Sequence, residues 1–247
     1  MKYCNFKVKL FILGVCLCPS FLLAQNEKQK DSTAIYILDK MADVIGDLQA
    51  VQFSMETSVD ELNAHGELST YFAHSEVSMV GPNKFTAIVQ GDKGEYGYWY
   101  DGDYLSYYSY NENNYVTLEA PDTILTMIDS MHVAYDFKFP AADFFYPNFT
   151  DDIIEGYDTV RYIGKRQVDD TPCFYITAAN SEMQVQLWVT NDSQMLPKKL
   201  LIVYKNDHSL QYEATFEKWI LNPDIPESIF SFTPPPNAKL ISILAKS

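Results

Sequence analysis

Basic residues are scarce in this chain. Lys and Arg total 18 against 33 Asp and Glu, a formal charge of −15 over 247 residues. Neutralising nucleic-acid phosphates takes a basic face, and docking on anionic headgroups takes a basic patch, so neither nucleic acid nor an anionic membrane surface is an expected partner. Histidine is scarcer still: His65, His74, His132 and His208 are scattered, with no H-E-x-x-H and no Cys pair beyond the N-terminus. No metal and no cofactor is therefore predicted. Of the four cysteines, Cys4, Cys16 and Cys18 lie in the first residues, which leaves Cys173 without an internal partner. In the stretch PCFYI it reads as a buried small apolar residue. Glycine numbers 10. None outside the N-terminal segment begins a G-x-S-x-G elbow, and Gly91, Gly94 and Gly97 precede no G-K-[ST], so a nucleophile elbow and a phosphate loop are both absent. Among so many acids some carboxylates must lie close together. Asp101 reads more simply as a turn residue and Asp143 as a helix cap. No catalytic residue is predicted and the chain is read as non-enzymatic.

Nor does the N-terminal apolar run reach the ~20 residues of a spanning helix. It covers residues 10–23, follows a segment bearing Lys2, Lys7 and Lys9, contains Pro19, and ends at Ala24 before Gln25-Asn26-Glu27-Lys28. That order of basic, apolar and small residues predicts a signal peptide over residues 1–24, cleaved after Ala24, and a periplasmic protein of residues 25–247. Val15 and Leu17 precede Cys16 and Cys18, where an acylated cysteine would need a small residue before it.

What the chain has in quantity is hydrophobic residues, 47%, and aromatics, 15%, with 18 Tyr and 15 Phe. The first figure is too high for disorder and the second favours half-buried strands. Asp31 or Ser32 can cap a helix to about Ala50, with Ile35, Leu38, Ala42 and Ile45 on its apolar stripe. The period then becomes two over residues 71–79, 85–89, 96–100, 104–110 and 115–118, with turns at Gly81-Pro82-Asn83, Asp101-Gly102 and Asn111 to Asn114. Ile124, Met127, Ile128 and Met131 return to helical spacing. Short helical turns follow to Asp152, then strands over 158–166, 172–179, 183–190, 198–206 and 209–220. Phe230-Ser231-Phe232 reads as a short edge strand stopped by prolines. Helix, strands, helices, strands, with no low-complexity linker, predicts one α+β domain, mostly β. Its curved antiparallel sheet is expected to form a half-open barrel, with helices packed on or plugging one side.

The stretch 96–115 holds eight tyrosines and Trp99. With Asp101-Gly102 as a two-residue loop, Tyr98 faces Leu105 and Tyr96 faces Tyr107, and Trp99 shares the other face with Tyr104. Both faces are aromatic. That suits a sheet covered on both sides, or one lining a cavity or a sugar platform on one side.

Pro82-Asn83-Lys84-Phe85, Tyr100-Asp101-Gly102, Tyr115, Ala120-Pro121 with Thr123-Ile124, Ala142-Asp143 and Gly164 form an ordered series. It continues through Pro172-Cys173, Gln186-Leu187-Trp188-Val189, Leu196-Pro197-Lys198-Lys199, Tyr204-Lys205, Gln211-Tyr212, Trp219 and Phe230 to Pro235. By these residues the chain, from about Ser32 to Ile241, resembles a family of predicted periplasmic proteins classed as a domain of unknown function. That family looks like a relative of the outer-membrane lipoprotein carriers, the LolA/LolB-like fold. The resemblance implies a curved sheet around a helical plug with an interior able to hold acyl chains. It carries no catalytic residues, and Phe174 stands where the family often has a histidine.

The function predicted is a periplasmic, non-enzymatic binder or carrier of a lipid, a lipoprotein acyl chain or another apolar ligand. Burial gains roughly 0.8 kcal/mol per methylene, enough for useful affinity once association costs are met. The alternatives are a packed structural or interaction module with an envelope protein partner, and more distantly a hydrolase. Alternation assigns Tyr71, Val77, Met79, Phe85, Val89, Tyr98, Leu105 and Tyr107 to the ligand-facing side of the sheet.

Overall fold

The computed structural model describes residues 29–135, 137 and 142–246, so the expected signal peptide and its cleavage site lie outside the described residues. Helix α1 (Ser32–Gly46) begins at Asp31, whose side chain accepts the Thr33 N–H at 2.8 Å. This satisfies one donor that the first turn leaves unpaired. The other carboxylate oxygen accepts the Tyr162 N–H at 3.3 Å and ties the helix to the sheet. The buried stripe is Ala34, Ile37, Leu38, Met41 and Ile45. It is rotated from the predicted one, with Ile35 and Ala42 half-buried at its edge. The helix ends at Gly46 rather than Ala50, because β2 (Ala50–Leu62) starts there, a strand that the sequence analysis does not assign. Its start is pinned by Asn222, whose side-chain oxygen accepts the N–H groups of Gln49 at 2.8 Å and Ala50 at 3.2 Å.

Strands β3 (Leu68–Val80), β4 (Lys84–Gly91), β5 (Gly94–Tyr100), β6 (Tyr104–Ser109) and β7 (Asn114–Glu119) follow β2 as successive antiparallel hairpins. Helix α2 (Ile124–Tyr135), a 3-10 turn (Ala142–Phe145) and α3 (Phe149–Gly156) interrupt them. The second meander is β8 (Thr159–Val168), β9 (Thr171–Ala179), β10 (Met183–Thr190), β11 (Pro197–Tyr204) and β12 (Leu210–Leu221), close to the predicted bounds. Antiparallel pairing of β12 with β2 joins the two groups into one curved sheet that does not close into a barrel. Short strands β1 (Gln29–Lys30) and β13 (Lys239–Leu240) add in parallel at its two edges. The mostly β, α+β architecture with helices on one side is therefore the one observed.

At the seam, Tyr212, Ala214 and Phe216 of β12 lie on the same face as Phe53 of β2. A bulge after Glu217, with Lys218 at φ 50°, turns Trp219 back onto that face. There its ring lies 4.5 Å from Phe53 and its indole N–H donates to Pro197 O at 3.1 Å. Re-aiming a side chain is what an extra residue in one strand achieves.

The aromatic hairpin has a register different from the predicted one. Tyr98 stands opposite Tyr107, Tyr100 opposite Leu105 and Tyr96 opposite Ser109. The turn is longer than two residues because Asp101 Oδ1 accepts the N–H groups of Asp103 and Tyr104, at 3.1 and 2.9 Å, with Gly102 at φ 102°. The shift is two residues, so every side chain keeps its face.

Phe230-Ser231-Phe232 is not a strand. A 3-10 turn (Glu227–Phe230) leads the chain across the outer face, where the Phe232 ring packs 5.0 Å from Trp99, 5.8 Å from Tyr108 and 5.5 Å from Tyr115. Trp99 itself lies over Gly97, where a Cβ would sit 2.3 Å from the indole. Trp99, Tyr108 and Tyr115 are thus covered by the chain's own C-terminal segment, while Tyr104 stays exposed.

Candidate functional site

The alternation that makes each strand half apolar converges on the concave face. Across β9, β10 and β11 the register places Ile176 beside Leu187, Leu187 beside Leu200, Ala178 beside Val185 and Val185 beside Ile202. Above this floor lie Leu38 of α1, Phe144 of the 3-10 turn, and Phe149 and Ile153 of α3. Floor and roof do not meet everywhere: a cavity of about 70 Å³ remains between them. That equals roughly two waters' share of liquid volume, with a lining that offers hydrocarbon and few polar partners.

Polar groups gather at the rim. Asp143 lines the cavity with Tyr157. Asp143 is exposed as a residue, but its carboxyl is crowded by protein, and burial, then Asp152, pushes its pKa above the usual carboxylate range. Burial raises the Tyr157 hydroxyl to about 12, helped by the negative charge of Asp143; it donates to Met183 Sδ at 3.2 Å. Tyr204 and Tyr212, concave-face residues of β11 and β12, are also raised by burial with Asp143 contributing. Tyr212 is 5% exposed and its hydroxyl has no hydrogen-bond partner among the described residues.

All eight sequence-predicted residues share the concave face. The pairs Met79–Phe85, Tyr98–Tyr107 and the direct neighbours Val77–Ala87 and Tyr100–Leu105 put them side by side, with Tyr71 and Val89 farther along their strands. Val77, Met79, Phe85 and Leu105 are buried; Tyr71, Val89, Tyr98 and Tyr107 are half-buried. None of them lines the cavity, which lies in the other half of the sheet. In their half the Tyr98 ring meets Phe137 at 5.3 Å, and α2 buries Ile124, Met127, Ile128 and Met131. Sequence reasoning did not assign the cavity residues to a site, and it set Asp143 aside as a helix cap. The one local signal is an acid inside the aromatic run Asp143-Phe144-Phe145-Tyr146.

Cys173 is fully buried and burial pushes its thiol up to about 11, which removes it as a nucleophile near neutrality. No cluster of metal-ligating side chains occurs among the described residues.

With this architecture on the page, the chain can be placed. Residues 34–244 match the family described as "Predicted periplasmic protein (DUF2092)", and the chain belongs to that family. The family expected from its residues is thus the one found. No curated protein matches. An uncharacterised conserved protein from Thermus thermophilus shares the fold, at 9% identity and TM-score 0.50, over 85% of this chain and 98% of its own. Two further structures have similarity at lower scores. LprF from Mycobacterium bovis has 10% identity and TM-score 0.47, over 79% of this chain and 97% of its own. A LolA superfamily protein from Nitrosomonas europaea has 13% identity and TM-score 0.40, over 81% and 97%.

Proposed function

We propose that this is an exported, non-enzymatic binder or carrier of an apolar ligand, a lipid or a lipoprotein acyl chain, acting in the periplasm after cleavage following Ala24. The observation that carries the reading is the apolar cavity between the concave sheet and the roof formed by α1, the 3-10 turn and α3. Where its lining is Leu, Ile, Val and Phe, such a cavity is filled more favourably by hydrocarbon than by water. An acyl chain needs several times the volume present. Binding therefore moves the 3-10 turn and α3 outward, which rest on the sheet by side-chain packing and not by strand pairing. The concave face is continuous across the β12–β2 seam, so a longer ligand extends toward the half-buried Tyr71, Val89, Tyr98 and Tyr107.

Native mass spectrometry after mild purification tests this. Lipid retained on the folded protein supports it, as does saturable binding of an uncharged apolar fluorophore. A clean apo mass with no fluorophore binding overturns it.

A second reading is a structural or interaction module with a packed interior and an envelope protein partner. It is favoured by Tyr100, Leu105, Met127 and Met131, each at most 2% exposed in the N-terminal half of the core. The clean apo mass, with a protein bound instead, is its expected outcome.

A further inference from the structure

We propose that the cavity takes a single-chain amphiphile whose head is a protonated amine, with Asp143 at the rim as its counter-ion. This rests on the apolar-ligand reading above and adds the chemistry of the head. Among the residues lining the cavity Asp143 is the charged one, and Tyr157 beside it is the other that carries a polar side chain. No hydrogen bond or ion pair of the described residues engages the Asp143 side chain; what acts on it is enclosure and the like charge of Asp152. The tyrosines around it, Tyr146, Tyr157, Tyr204 and Tyr212, all feel its charge. Tyr146 and Tyr157 already donate, to Asp129 Oδ1 at 2.7 Å and Met183 Sδ at 3.2 Å. The Tyr212 hydroxyl is buried with no partner among the described residues.

This rim suits one head chemistry. A carboxylate or phosphate would add like charge beside Asp143 and Asp152, which is unfavourable. A neutral hydroxyl would gain a hydrogen bond and leave the negative charge of the carboxylate uncompensated. A primary ammonium brings three N–H donors and no acceptor. The Asp143 carboxylate oxygens can accept two of them, and the hydroxyl oxygen of Tyr157, which lines the same cavity, can accept the third. The alkyl tail follows into the cavity, toward Leu187 and Leu200. The chain's charge of −15 acts in the same direction at longer range.

Displacement of N-phenylnaphthylamine, an uncharged fluorophore, by dodecylamine, dodecanol and dodecanoate at neutral pH tests the assignment. Dodecylamine is expected to displace it at roughly tenfold lower concentration than dodecanoate, the scale of one charge-assisted hydrogen bond, with dodecanol between. Asp143→Asn should bring the amine to parity with the alcohol. Asp170→Asn, the same charge change on the β8–β9 turn, should not. Dodecanoate matching dodecylamine in the wild type overturns the proposal while leaving the apolar-ligand reading intact. So does an equal response of the two variants, which would make the preference a property of net charge. Failure of all three alkyl compounds to displace a bound fluorophore overturns this inference alone, whereas a fluorophore that does not bind overturns the apolar-ligand reading and this inference with it.

Discussion

The ring of Phe53 on β2 lies 5.7 Å from the ring of Phe216 on β12, at the point where the two strand groups become one sheet. Phe216 is fully buried and Phe53 4% exposed, with Phe145 stacked on Phe53 and Trp219 tilted against it. Truncation here opens a cavity that surrounding rigid strands cannot close. Phe53→Ala should cost about 3–5 kcal/mol, read as a lower urea midpoint.

Packing differs between the two halves of the concave face, and matched enlargements should report it. Ala178 borders the cavity, whereas Ala87 lies between Val77 and Tyr98. Ala178→Leu has space to enter, so its stability change should stay within about 1 kcal/mol while fluorophore binding falls. Ala87→Leu forces its neighbours apart and should cost about 1–3 kcal/mol. Equal costs at the two sites would mean that the interior is uniformly packed.

His74 is held between two carboxylates on the outer face. Its Nε2 lies 2.9 Å from Glu76 Oε1 and its Nδ1 2.6 Å from Glu56 Oε1. The bond to Glu76, then that to Glu56, raises its pKa above 6.5. A raised folded value means stability that is fully present below the unfolded pKa and is lost as pH rises through the folded one. The stability difference between wild type and His74→Gln should therefore be largest below the ordinary histidine pKa and shrink as pH rises through the raised folded one. The carboxylates are exposed, so it should not exceed about 1 kcal/mol. A difference that grows with pH would contradict the assignment.

Cys173 should react with a thiol reagent slowly in the native protein and quickly in denaturant. Its side chain is fully buried and its Sγ donates to Thr171 O at 3.4 Å. Native labelling as fast as that of the unfolded chain would contradict this burial.

Several features are legible in the residues because they follow from local rules. Asp31 caps α1, period-two alternation marks β8 to β12, and the odd-numbered apolar residues of β3 and β4 share one face with the even-numbered tyrosines of β5. Even the incorrect hairpin register preserves those faces, since a shift of two residues leaves the pleat unchanged. The strand β2 was present in the alternation of Val51, Phe53, Met55 and Val59 but lay beside a helix pattern that extends to Ala50. Its start depends on Asn222, whose contribution no local window contains.

The sequence by itself determined the family and which side of each strand is apolar, because motif order and side-chain period are properties of the chain. Only the tertiary structure decided where the apolar faces fail to meet. The cavity lies over β9 to β11 rather than over the aromatic hairpin, because α2 fills one half of the curved sheet while α1, the 3-10 turn and α3 span the other incompletely. It also decided that Asp143, read as a helix cap, stands at the cavity rim, and that Phe232 covers Trp99. Such gaps and coverings are set by the fit between elements distant in sequence, which alternation within one element does not specify.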